Sequence, residues 1–296
     1  DNYISKKLST ISYSKLEISS TIGCAMMCSY CPQELHKANG KTFEKMLQVE
    51  TLKKVINNIE KNTVIHWTGY SEALGNKKFP EFSELLKKNG NPQLLNTTMH
   101  GHSNCVEFLK ESNNFFQILL HLPDNKNYMK LKVSEKYLKN LEEVVKFQSK
   151  RLKDKLFVLG FGDDLQLEVR ELINKLTAEG YLKDKNISIT KHLHTRAGDK
   201  SAENIGPEFH NNLNKENKNN NSLFYCSIKR LNMGVLIPDG RVSLCSHDYS
   251  LKYFKGDLKE KKLSEIYKNK EVFENNNDFI NGTYKPCVTC EYYENL

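Results

Sequence analysis

The sequence predicts an α/β protein: a partial barrel of six βα units followed by a small C-terminal β-hairpin and helix. Three observations carry that expectation. Up to residue 200, short apolar runs alternate with amphipathic segments of helical length, the trace left when parallel strands are covered by helices. The stretch Asn211–Ser222 holds seven asparagines and almost nothing apolar, so it reads as a linker that can bury little surface. Beyond it, MGVLIPDGRVSLC places two β-rich runs on either side of Pro238-Asp239-Gly240, which is hairpin turn chemistry.

The strand candidates follow in order. They are Leu16–Ser19, Thr63–Trp67, Gln93–Thr97, Phe116–Leu122, Leu156–Gly160 and Ile187–Thr195. Helical segments follow at Val49–Ile59, Pro80–Lys88, Cys105–Glu111, Ser134–Arg151 and Leu167–Glu179, with the sixth less clear. Right-handed crossovers between such strands build a (β/α)6, TIM-like partial barrel, whose chemistry sits in loops at the C-terminal strand ends. The expected division is barrel over 1–205, linker over 206–222, and a smaller domain over 223–296 containing the hairpin and a helix at Leu263–Phe273.

Composition narrows the class. The 296 residues are 38% apolar and 27% charged, ordinary for a globular chain. No run reaches the roughly 18 apolar residues of a spanning helix, and the N-terminus lacks the apolar stretch of a signal peptide, so the expected address is the cytoplasm, with no membrane partner. The net charge of +8 is spread among glutamates as a solvated face, and no nucleic-acid module accompanies it.

The eight cysteines are far from random. In a chain with no secretory signal, grouped thiols point to metal or to chemistry rather than to disulfides. Cys24, Cys28 and Cys31 have spacing C-x3-C-x2-C directly after the first strand, where a barrel enzyme keeps its reactive loop. A closed zinc site wants a fourth protein ligand, which only a distant Cys or His can supply. Three thiolates can instead hold three irons of a [4Fe-4S] cluster and leave the fourth iron open.

That loop, ahead of a run of βα units, resembles the radical S-adenosylmethionine (SAM) enzymes. The resemblance implies that SAM chelates the open iron and is cleaved reductively to methionine and a 5′-deoxyadenosyl radical, which abstracts a substrate hydrogen atom. Tyr30 occupies the position of an aromatic residue packed on adenine. WTGYSEAL resembles the family's Gly-Gly-Glu-Pro segment, with Gly69, Tyr70, Ser71 and Glu72 around the SAM ammonium; Ser71 replaces a Gly and Ala73 the Pro. An ammonium seeks a carboxylate such as that of Glu72, or a free carbonyl. GFGDDL at Gly160 lacks the third glycine of a dinucleotide fingerprint and follows the fifth strand rather than opening the fold.

Strand alternation puts Ser188, Thr190, His192, His194 and Arg196 on one face, expected to point into the lumen, with Ile187, Ile189 and Leu193 on the other. Gln117 and His121 point inward by the same count. His121, in HLPD, lies where relatives carry a SAM-contacting segment, and Arg196-Ala197-Gly198 resembles a stretch common in relatives with extra clusters. His121, His192, His194 and Arg196 are therefore the catalytic candidates, the histidines as bases and Arg196 as an anchor for a substrate anion or hydroxyl.

Residues 223–296 resemble the SPASM and twitch domains of the same superfamily. Cys226, Cys245, Cys287 and Cys290 match the twitch count and imply one fully ligated auxiliary [4Fe-4S] cluster, with a zinc ribbon as the alternative. Cys105 has no partner by spacing and reads as a buried free thiol.

The architecture is similar to that of radical SAM alcohol dehydrogenases of the kind found in butirosin biosynthesis. It implies two-electron oxidation of a small molecule such as an alcohol or sugar derivative, with an electron donor such as flavodoxin or ferredoxin. The alternatives are crosslinking or epimerisation of a ribosomal peptide, for which relatives use a leader-binding domain that neither terminus has room to hold, and a non-enzymatic zinc-binding protein.

Overall fold

A computed structural model describes residues 15–191, 196, 224–226, 233–269, 290 and 293–295, with backbone alone at 224–226 and 293–295. Strands β1 (Lys15–Ile18), β2 (Val64–Trp67), β3 (Gln93–Thr97), β4 (Phe115–His121), β5 (Leu156–Phe161) and β6 (Ile187–Thr190) lie side by side in chain order, all parallel. The helices after the first cysteine loop are α1 (Gln33–Asn39) and α2 (Val49–Val55). Next come α3 (Phe79–Asn89), α4 (Ser103–Glu111), α5 (Glu135–Leu152) and α6 (Leu167–Ala178). No described helix is long and apolar enough to cross a membrane.

Each strand sorts its side chains by alternation. Leu16, Ile18, Ile65, Trp67, Leu95, Ile118, Leu120 and Val158 are buried in the main core. Helix α3 shows how that layer forms: Phe79, Phe82 and Leu86 recur at helical spacing and are buried, and the Trp67 ring meets Phe79 edge-on at 5.0 Å. Gln93 accepts from the Trp67 indole at 2.8 Å, so this buried N–H has its partner. On β6, Ile187 and Ile189 pack on the same core, leaving Ser188 and Thr190 on the lumen side.

The C-terminal hairpin extends this sheet. Strand β9 (Arg241–Ser243) pairs antiparallel with both β8 (Val235–Leu236) and β10 (Phe254–Asp257), and β8 pairs in parallel with β1, giving the order β10-β9-β8-β1-β2-β3-β4-β5-β6. Glu17 N–H donates to Gly234 at 3.1 Å and Ser19 N–H to Leu236 at 3.0 Å. Helix α7 (Leu263–Lys268) completes the join, its Tyr267 hydroxyl donating to the Lys15 carbonyl at 2.9 Å. Strands β7 (Phe224–Cys226) and β11 (Tyr293–Asn295) form a separate antiparallel pair, with Cys226 opposite Tyr293.

The expected strands are all present, within a residue or two of the boundaries read from the sequence, except that β6 is defined to Thr190 and residues 192–195 lie outside the described set. The expected helix at Val49–Ile59 is α-helical to Val55 and 3-10 over Ile56–Asn58. Helix α1 carries no periodic signal in the sequence. Its seven residues follow Cys31-Pro32 with no apolar period, and buried Gln33 and His36 fix it by contacts to other loops.

Candidate functional site

At the C-terminal ends of β1 to β5 lies a cavity of about 260 Å³, the position that barrel geometry favours for chemistry. The structure brings Cys24, Cys28, Cys31, Tyr30, Gly69, Tyr70, Ser71, Glu72, His121 and Arg196 to its wall. His192, His194 and Cys287 lie outside the described residues.

The cysteine loop is held from two sides. Gln33 accepts from Cys24 N–H at 2.9 Å and donates to the Tyr70 carbonyl at 2.8 Å, tying the first loop to the second. From the far side, Asp124 accepts from the N–H groups of Lys126, Tyr128 and Met129 at 2.8–3.0 Å, shaping a turn whose Tyr128 carbonyl receives Ser29 N–H at 2.8 Å. The Asp of HLPD is thus a buried organiser of the loop beneath Cys28 and Tyr30.

The three thiols line one cavity, Cys28 buried and Cys24 and Cys31 half-buried. Burial pushes Cys24 up to about 11, and burial with the neighbouring Cys31 pushes Cys28 higher still. Raised in this way, the Cys24 and Cys28 thiols stay protonated unless a cation compensates them, which is the environment that an iron cluster completes. Among the described residues, no three His, Cys, Asp or Glu side chains converge as ligands of one ion. Three sulfurs that each bind a different iron need no such convergence, so the donor set fits a cluster carrying one open iron.

The second loop is braced by the carboxylate of Glu72. Glu72 caps a 3-10 turn, and its carboxylate accepts from Leu74 N–H at 3.1 Å, Thr97 Oγ1 at 2.8 Å, and Thr98 N–H and Oγ1 at 2.7 Å each. Burial raises its pKa and these four donors pull it back. Four donors occupy the acceptor sites of the carboxylate, so Glu72 shapes the loop. Ser71, which stands where a glycine was expected, shares a hydrogen bond with Ser19 Oγ at 3.1 Å and accepts from Thr21 N–H at 3.3 Å, locking the two loops together. Gly69 has φ +85°, and a Cβ there would come within 2.9 Å of Val235 on β8, so the hairpin also presses on this loop.

Tyr30 is buried against Phe161, edge-on at 5.0 Å, with its hydroxyl 3.4 Å from His121 Nε2. Burial and the Arg196 charge hold His121 down to about 3, so it is neutral at ordinary pH and a weak proton acceptor. Arg196 takes a left-handed φ of 52° beside it.

Several further polar residues line the cavity. Glu17 and His66 stand side by side on β1 and β2, and Asn96 follows on β3. Glu17 and His66 are each flanked by apolar residues, and strand alternation is the signal that marks all three as lumen-facing. Ser246 and Tyr249 arrive from the segment after β9 and line the cavity. The Tyr249 hydroxyl donates to Cys31 Sγ at 3.8 Å, while that of Tyr70 approaches Ser243 Oγ at 2.8 Å. Cys105 is fully buried, its thiol near the Asn76 carbonyl at 3.4 Å and pushed up to about 11 by burial.

No protein-family model matches the sequence, and no curated protein matches it. Solved structures do. Streptococcus suis SuiB bound to S-adenosylmethionine is 13% identical and superposes with a TM-score of 0.52 over 97% of this chain and 71% of its own. BtrN in complex with AdoMet and 2-DOIA is 14% identical, with a TM-score of 0.49 over 96% and 94% of the two chains. Native anSMEcpe with bound AdoMet and Cp18Cys peptide is 15% identical, with a TM-score of 0.49 over 92% and 89%. Likeness at such identities is a likeness of fold. The mostly parallel sheet, its flanking helices and the antiparallel C-terminal hairpin are the fold that this chain shares with SuiB.

Proposed function

We propose that this chain is a radical SAM oxidoreductase that dehydrogenates a small polar molecule such as an alcohol or sugar derivative. The observation that carries this reading is the meeting of Cys24, Cys28 and Cys31 with the Gly69–Glu72 loop and a polar lumen around one cavity. SAM bound to SuiB, a structure of the same fold, supports SAM as the ligand. Bound here by Cys24, Cys28 and Cys31, a [4Fe-4S] cluster together with SAM would supply radical chemistry at a substrate C–H bond.

The chain's own residues do the rest. Cys24, Cys28 and Cys31 would hold the cluster, and the carbonyls of the Gly69–Glu72 loop would orient the SAM ammonium. Tyr30 and Phe161 offer aromatic surface to the adenine. Glu17, His66 and Asn96 present acceptors and donors to a substrate bearing hydroxyl or amino groups, an apolar-walled pocket with a few convergent polar groups being the usual recognition design. Arg196 anchors an oxygen of the substrate, and among His121, His192 and His194 one receives the hydroxyl proton as the ketone forms. His121, held neutral, suits accepting a hydrogen bond better than keeping a proton.

We further infer that Cys226, Cys245, Cys287 and Cys290 hold an auxiliary [4Fe-4S] cluster, which would supply an acceptor for the second electron. The pairing of Cys226 with Tyr293, three residues after Cys290, supports a shared site for these thiols. A redox partner of the flavodoxin or ferredoxin kind would deliver the first electron.

Dithionite-reduced, anaerobically reconstituted protein should convert SAM to 5′-deoxyadenosine, and Cys28→Ala should not. A colourless protein with stoichiometric zinc, or Cys28→Ala turnover at the parent rate, would remove this reading.

A further inference from the structure

The cavity wall contains an aromatic block joining the two cysteine sets. Tyr249 reaches back from the segment after β9 and donates its hydroxyl to Cys31 Sγ at 3.8 Å, across 218 positions of the chain. Among the described residues, Cys31 is its hydrogen-bond partner. Tyr70 lies edge-on to Tyr249 at 5.0 Å and donates to the Cys245 carbonyl at 2.5 Å. His36 packs on both rings, 4.6 Å from Tyr70 and 5.7 Å from Tyr249. Tyr249 is 2% exposed and Tyr70 1% exposed, so water does not compete for either hydroxyl.

We infer that Tyr249 is a positioning residue that raises the reduction potential of the cluster held by Cys24, Cys28 and Cys31, by donating a hydrogen bond to the Cys31 sulfur. The inference rests on the cluster reading proposed above. A hydrogen bond to a ligating sulfur stabilises the more negatively charged, reduced cluster over the oxidised one, and such bonds are a recognised control of iron–sulfur potentials. Tyr70 and His36 hold the Tyr249 ring where it can do this. Because Tyr70 is pinned by Ser243 and the Cys245 carbonyl, the hairpin next to Cys245 sets the environment of Cys31. Nothing in the first cysteine loop alone supplies that donor, which comes from the other end of the chain.

The test is a redox titration of the anaerobically reconstituted full chain, followed by electron paramagnetic resonance (EPR), with iron and sulfide counted on every sample. Tyr249→Phe keeps the ring and removes the donor. The expected result is an unchanged iron count and a cluster up to about tenfold harder to reduce at a fixed potential, a fall of up to about 59 mV for one electron. Site-specific 3-fluorotyrosine at position 249 keeps ring and hydroxyl but donates more strongly, and should shift the potential upward. This second form decides the matter if Tyr249→Phe loses iron. Full iron content with an unmoved potential in the fluorinated form, or in Tyr249→Phe, would overturn the inference. Parent protein that takes up no cluster at the first site would instead overturn the underlying reading, and the inference with it.

Discussion

Gln33 Nε2 donates to the Tyr70 carbonyl oxygen at 2.8 Å while its Oε1 receives Cys24 N–H at 2.9 Å. One buried amide therefore sets the spacing between the loop that carries the cysteines and the loop expected to meet SAM. Removing it leaves a buried carbonyl without its donor, which costs about 1–3 kcal/mol. Gln33→Ala should raise the SAM dissociation constant about tenfold at unchanged iron content, measured by anaerobic calorimetry. Gln33→Glu, which keeps only the acceptor, should fall between. Parent-like SAM affinity in Gln33→Ala would show that the two loops are spaced by other contacts.

Glu72 separates two roles. As a saturated acceptor it braces the loop, so Glu72→Gln, which turns an N–H donor toward the Thr98 donors, should destabilise the cofactor-free protein by about 2–4 kcal/mol in urea. If stability is unchanged while SAM binding is lost, the carboxylate is a SAM ligand and the bracing role is wrong.

His36 gives a pH signature. Its buried ring is held down to about 4 by burial and, secondarily, by nearby Lys45, against 6.5 when unfolded. Between those values the unfolded chain binds the proton and the folded chain does not, so stability present above 6.5 is lost as pH falls toward 4. One such group contributes a slope near 1.4 kcal/mol per pH unit at most. His36→Gln should flatten the profile of urea midpoints over this window; an identical slope would place the proton elsewhere.

Asp124 is a structural prediction. Three backbone N–H groups end on its carboxylate. Asp124→Ala should cost about 2–3 kcal/mol and lower Tm by roughly 5–8 °C, with proteolysis appearing first at Lys126 or Lys130. Asp124→Asn should retain much of the loss-sensitive geometry. Unchanged melting in Asp124→Ala would mean the turn is set by its own sequence.

The parallel strands were legible because each is a short β-rich run whose boundaries coincide with turn residues, and alternation placed His121 at the lumen correctly. Glu17 and His66 obeyed the same alternation but lay in LEIS and TVIHW, where a lone polar residue attracts little notice. The saturation of Glu72 was not legible, since Thr97 and Thr98 reach it from the end of β3 and the turn beyond it, through folding rather than spacing. Nor was the arrival of Tyr249 at Cys31, which depends on β8 pairing with β1 rather than on any pattern near either residue.

The most direct test is EPR of the anaerobically reconstituted, dithionite-reduced chain before and after addition of SAM. A [4Fe-4S] signal whose g values shift on adding SAM, and which vanishes from the first site in the Cys24/Cys28/Cys31 triple-Ala variant, is the result expected of an open iron that SAM ligates. A parent spectrum indifferent to SAM, or one retained in full by the triple variant, would contradict it.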